Sequence, residues 1–215
     1  MSGAPSRILV VRHGNTFGPD DRVVWVGRRS DLPLVEKGLE QAHAVAAGLK
    51  AAGLVPTCAV SGNLKRTRVS ADIVAAELGI ADRRIDGRLD EVDYGVWEGK
   101  SSEEIQAIPG HAELMEAWQK HDRWPEGAGW GSTRADVVGA LASLLADMAE
   151  GKGGALPLLV SSNGILRFAP EVLGATVPAG TTLQLKTGHM GVLDRSEGGW
   201  TVAGWNLDPA RLAEL

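Results

Sequence analysis

A chain of 215 residues, 44% of them hydrophobic, suits one large domain with a sizeable core. A net charge of -5 argues against a general affinity for nucleic acid, which needs a basic face. The single cysteine, Cys58, excludes an intrachain disulfide, and no apolar run approaches the ~18–20 residues of a membrane span.

The first residues carry no signal-peptide apolar stretch, so a cytoplasmic protein is expected. Residues 8–11 (Ile-Leu-Val-Val) are apolar and mostly β-branched, which reads as a buried strand. The strand stops at Arg12 and His13, and Gly14 lets the backbone turn. The carboxyl end of a buried strand is where α/β folds place ligand chemistry. A neutral imidazole there can attack a phosphoryl group, and a guanidinium matches phosphate oxygens. The plainer alternative is a strand end with two solvated polar residues. Residues 17–33 read as a loop whose Trp25, Arg22, Arg28 and Arg29 either line a pocket for an anion or are solvated. A helix follows, with Val35, Leu39, Ala42, Ala46 and Leu49 on one face, His43 in a structural role and Gly53 as its stop.

Residues 58–61 form a short strand, and the helix after it runs to Leu78 with an apolar stripe of Leu64, Ala71, Val74, Ala75 and Leu78. Arg66 falls in its first turn, a second guanidinium near the same sheet edge. Glu91 follows in Leu89-Asp90-Glu91-Val92-Asp93-Tyr94-Gly95-Val96-Trp97-Glu98-Gly99; a carboxyl group beside a leaving oxygen can serve as general acid, then as base for water. Residues 101–131 read as irregular, with short helices at 102–105 and 111–121. Their Trp118, Trp124 and Trp130 either stack on a substrate or pack a lid onto the core. His111 and His121 have no metal-ligand spacing. Ser132 is the expected N-cap of a helix through Ala149 that buries Val137, Val138, Leu141, Leu144, Leu145 and Met148. A strand at 156–160 leads through Ser161-Ser162-Asn163-Gly164 into another helix. Strands at 182–186, 191–194 and 200–205 close the sheet. The alternation predicts an α/β fold with a mostly parallel central sheet and helices on both faces.

Four stretches carry a resemblance. Arg12-His13-Gly14-x-Thr16, Leu32-Pro-Leu-x-x-x-Gly38-x-x-Gln41-Ala42, Ser61-x-x-Leu64-x-Arg66 and Leu89-x-Glu91-x-x-x-Gly95-x-Trp97-Glu98-Gly99 together resemble the histidine phosphatase superfamily, in its phosphoglycerate-mutase-like branch. The resemblance implies a three-layer α/β domain over residues 1–215, with a lid and specificity insertion around 98–131. It implies a phosphohistidine on His13, Arg12 and Arg66 holding the phosphoryl oxygens, Glu91 as the acid, and Asn15 and Thr16 at the phosphate. The expected reaction is hydrolysis of a small phosphorylated metabolite without cofactor or metal. A mutase is less expected, because its longer closing lid exceeds this chain. A homodimer is compatible with the sequence; nucleic-acid and membrane partners are not expected.

The pattern breaks at one turn. Family members carry Ser-His-Gly-Gly where this chain has Ser161-Ser162-Asn163-Gly164, so Ser162 stands in place of a second histidine. Ser162 and Asn163 can donate hydrogen bonds there but bring no charge. His189 is either a substitute cation, if its side chain points inward, or an exposed turn residue. Gly131-Ser132 also lacks a glutamate common at that loop. The chain therefore reads as a phosphatase with an altered site or as a non-catalytic binder of a phosphorylated ligand.

Overall fold

The computed structural model describes residues 5–214. Its strands are β1 (Arg7–Arg12), β2 (Cys58–Ser61), β3 (Arg83–Ile85), β4 (Pro157–Ser161), β5 (Met190–Ser196) and β6 (Gly199–Leu207). The helices are α1 (Glu36–Ala51), α2 (Lys65–Leu78), α3 (Ser102–Gln106), α4 (His111–His121), α5 (Arg134–Ala149), α6 (Asn163–Leu166) and α7 (Ala169–Val172). One six-stranded sheet runs in the order β3-β2-β4-β1-β5-β6. The pairs among β1 to β4 are parallel, and β5 adds antiparallel to β1, followed by β6.

Successive side chains of a strand face opposite sides, so β1 feeds two cores. Leu9 and Val11 pack with Val45, Ala46 and Leu49 of α1 and Val74 of α2. Ile8 and Val10 belong to the opposite core, with Leu141, Leu144 and Leu145 of α5 and Ile165 of α6. Helices therefore cover both faces, and the α/β expectation holds. A paired Arg7–Asp194 contact at 2.6 and 2.7 Å ties β1 to β5.

Three local expectations are corrected, and one strand is added. Leu39 is 38% exposed, because α1 turns Gly38, Ala42, Val45, Ala46, Gly48 and Leu49 inward instead. Thr133, not Ser132, caps α5 by accepting from the Asp136 amide, while the Ser132 hydroxyl accepts from the Asp93 amide at 3.0 Å. Residues 182–186 form no strand: the Leu185 and Lys186 amides donate to the side chains of Asn163 and Asn206 at 2.6 and 2.8 Å rather than to a neighbouring strand. β3, a short strand with exposed side chains, lacks the apolar pattern that would announce it.

Five of the seven tryptophans, Trp25, Trp97, Trp118, Trp124 and Trp130, form one edge-to-face cluster. Trp130 packs against Tyr94, Trp97, Trp118 and Trp124 with ring centroids 4.9–5.2 Å apart. Such contacts add about 0.5–1.5 kcal/mol per pair beyond burial. Of the three tryptophans in 101–131, Trp124 and Trp130 pack in this way, and Trp118 also borders the cleft described next. No helix of the described residues is long and apolar enough to cross a membrane.

Candidate active site

A cleft of about 700 Å³ opens at the carboxyl ends of β1, β2 and β4. Arg12, His13, Asn15, Thr16, Arg66, Glu91 and Asn163 all line it. These seven come from four separate stretches, brought together because the parallel strands end on one edge.

The turn after β1 is fixed from several sides. The His13 amide donates to Ser161 O at 3.0 Å, and Gly14 N donates to Ser70 Oγ at 3.2 Å. Gly14 and Gly38 let this turn and the start of α1 touch backbone to backbone; a Cβ on Gly14 would collide with Gly38 O, and one on Gly38 with Asn15 O. Asn15 N donates to Gln41 Oε1 at 2.8 Å, and Thr187 donates its hydroxyl to Asn15 Oδ1. The loop is thus clamped before any ligand arrives.

His13 Nδ1 lies 2.7 Å from Gly14 O. A carbonyl only accepts, so Nδ1 carries the proton and Nε2 keeps its lone pair. The imidazole is buried beside two guanidiniums. Desolvation first, then the charges of Arg12 and Arg66, hold its pKa well below the ordinary 6.5. It is a neutral base at physiological pH.

Arg12 donates from Nη1 to Leu185 O at 2.6 Å, while its buried Nε has no partner. Arg66 uses Nη1 on Ser30 O at 2.6 Å and Nη2 on Gly27 O at 3.1 Å, which fixes the plane of the group. Burial lowers both guanidinium pKa values, and the charge of Glu91 opposes that in each.

Glu91 is buried, and desolvation raises its pKa above 4.5 against the pull of the Val92 amide, Arg66 and Arg12. Its Oε1 accepts from Val92 N at 2.9 Å. Gly164 gives it room: a Cβ there would collide with Glu91 Oε1 and lie 2.7 Å from the Tyr94 hydroxyl. A carboxyl group whose pKa burial raises beside two cations is suited to act as an acid.

The other expected residues fare differently. Ser162 is buried with its hydroxyl unpartnered, but it does not line the cleft. Asn163 does, and its Oδ1 is spent on Leu185 N, which leaves its amide NH2 as a donor. His189 is not placed as a substitute cation: its Nδ1 faces Asn206 O at 2.9 Å, and the residue lies outside the cleft wall. Arg22, Arg28 and Arg29 pair with Glu104, Asp90 and the Asp93/Glu98 carboxylates instead of lining a pocket. Sequence reasoning missed Tyr94, Gln41, Thr187 and Arg167. Tyr94 and Gln41 stand within stretches already singled out, but which way they face is set by packing. Among the described residues, no three His, Cys, Asp or Glu side chains group as for a metal ion.

The fold and the cleft define an α/β protein with a basic site built around a neutral histidine. The sequence profile of the histidine phosphatase superfamily (branch 1) matches residues 8–208, and the chain belongs to that superfamily. It is 32% identical over 212 residues to the probable phosphoglycerate mutase GpmB of Salmonella arizonae, covering 95% of this chain and 92% of that one. Among solved structures, a mycobacterial glucosyl-3-phosphoglycerate phosphatase superposes with a TM-score of 0.73 at 26% identity, covering 94% of this chain and 98% of that one. The alpha-ribazole phosphatase of Shigella flexneri shares the fold, with a TM-score of 0.71 at 20% identity over 94% of this chain and 96% of that one.

Proposed function

We propose that the protein is a phosphomonoester hydrolase that works through a phosphohistidine on His13. The observation that carries this reading is the His13 Nδ1 contact with Gly14 O, which leaves Nε2 as the free lone pair in a cleft also lined by Arg12, Arg66 and Glu91. Nε2 attacks phosphorus while Glu91 gives its proton to the leaving oxygen, and the alcohol departs. Glu91 then takes a proton from water, whose oxygen attacks the phosphohistidine and frees phosphate. The remaining N–H groups of Arg12 and Arg66, with the Asn163 amide, face the charge that spreads over the phosphoryl oxygens. The partner is a small phosphorylated compound, and the expected compartment is the cytoplasm.

His13→Ala abolishes phosphate release and leaves the circular dichroism spectrum unchanged. Acid-labile phosphate in rapidly quenched enzyme maps to His13; full activity in the variant would refute the mechanism.

Ser162 favours a second reading, a slow enzyme or a binder of phosphorylated ligands, since among the described residues no other imidazole lines the cleft with His13. Tight phosphate-dependent binding without turnover on any ester would support it. The relatives named as phosphoglycerate mutases motivate a third comparison: phosphate release and phosphoglycerate interconversion measured side by side.

A further inference from the structure

Two walls of the cleft have no part in phosphoryl transfer. One is the segment 17–26, where Phe17, Pro19, Val23, Val24 and Trp25 border the cleft and Val23 is 65% exposed. This segment is braced. Trp25 N donates to Lys100 O and Gly99 N to Trp25 O, each at 2.9 Å, and Arg22 pairs with Glu104. A braced apolar wall continuous with a polar floor is the composition of a small-molecule site.

The other wall holds Arg167, which is 2% exposed. Its guanidinium lies 3.9 Å from the Trp118 ring centre, and Nη1 donates to Trp118 O at 2.9 Å. The Asp122 carboxylate stands 3.5 Å from Nη1, too far to complete a strong bond. Nε has no partner, and Nη2 makes no hydrogen bond among the described residues. Buried polar groups are nearly always paired, so a guanidinium with idle donors in a cleft wall calls for a ligand acceptor.

Resting on the hydrolase reading, we propose that the substrate's alcohol carries a flat apolar body and an anionic group. The body seats against Phe17, Val24 and Trp25, and the anion meets Nη2 of Arg167, since Nε is enclosed. Stacking on Trp118 holds the guanidinium plane in place, so little ordering remains to be done on binding. Arg167 acts as a specificity residue.

Three primary alkyl esters of similar reactivity test this: propyl phosphate, 3-phenylpropyl phosphate and 3-(4-carboxyphenyl)propyl phosphate. In the wild type, the phenyl group raises kcat/KM by roughly tenfold, and the carboxylate by roughly tenfold more. Arg167→Met removes the carboxylate increment, read as the ratio of the last two esters, and Arg167→Lys restores part of it. Phe17→Ser with Val24→Ser shrinks the phenyl increment. Equal losses on all three esters in Arg167→Met, or no increment from either group in the wild type, overturn the proposal. The matching phosphonates give the same ladder as Kd values. An intact ladder with no turnover and no label on His13 refutes hydrolysis while sustaining the substrate class; a flat ladder with normal turnover does the reverse.

Discussion

His13 and Glu91 are buried ionisable groups whose pKa values move toward each other, the histidine down and the carboxyl group up, with desolvation the largest cause in both. The proposed reaction needs the first neutral and the second protonated. The kcat/KM of an alkyl phosphate should therefore decline as pH rises through the raised pKa of Glu91, and this limb should be absent in Glu91→Gln. That variant should also slow alkyl phosphates far more than aryl phosphates, whose leaving groups need little protonation. The same shift acts on stability. Between 4.5 and its folded pKa, Glu91 binds a proton in the native state that the unfolded chain does not. Its contribution is present at low pH and lost as pH rises through the folded value. Glu91→Gln should melt above the wild type at pH 7.5, with the gap closing toward pH 4.5. His13 has the opposite sign, costing stability as pH falls below 6.5. His189→Ala, by contrast, should leave kcat/KM within about twofold, because its ring is turned to Asn206 O. A tenfold loss would return that residue to the site.

At the scale of elements, glycines decide how closely the loops approach. Gly164→Ala puts a methyl group against Glu91 Oε1 and the Tyr94 hydroxyl. It should lower kcat on alkyl phosphates by at least about tenfold, with a smaller effect on aryl phosphates, because it displaces the acid and not the nucleophile. Equal losses on both would mean that the whole turn has moved. Gly38→Ala strikes backbone at Asn15 O, which no rotamer change relieves. A loss of about 1–3 kcal/mol is expected in urea unfolding, together with weaker phosphate binding, since the loop after β1 carries Asn15 and Thr16. The segment 182–186 shows the same dependence: it abandons strand pairing and holds Arg12 through Leu185 O and Asn163 through Leu185 N.

For the whole molecule, the parallel order β3-β2-β4-β1 places the ends of β1, β2 and β4 on one edge, and the site follows from that topology. The sequence by itself determined the strand of residues 8–11, the helices ending near Leu78 and Ala149, and the identity of His13, Arg12, Arg66 and Glu91 as candidates. Those are local matters, since a period of two or 3.6 and a motif are written in neighbouring residues. Leu39, Thr133 and the unpaired segment 182–186 were decided by packing, because a helix can rotate its stripe or an amide can choose a side chain at little local cost. Only the tertiary structure turned His189 away, sealed Ser162, and left Arg167 with idle donors in the cleft. The direction of a side chain depends on partners far along the chain: Asn206 for His189, Trp118 for Arg167. The pKa values of His13 and Glu91 depend likewise on burial that exists only once both cores have closed.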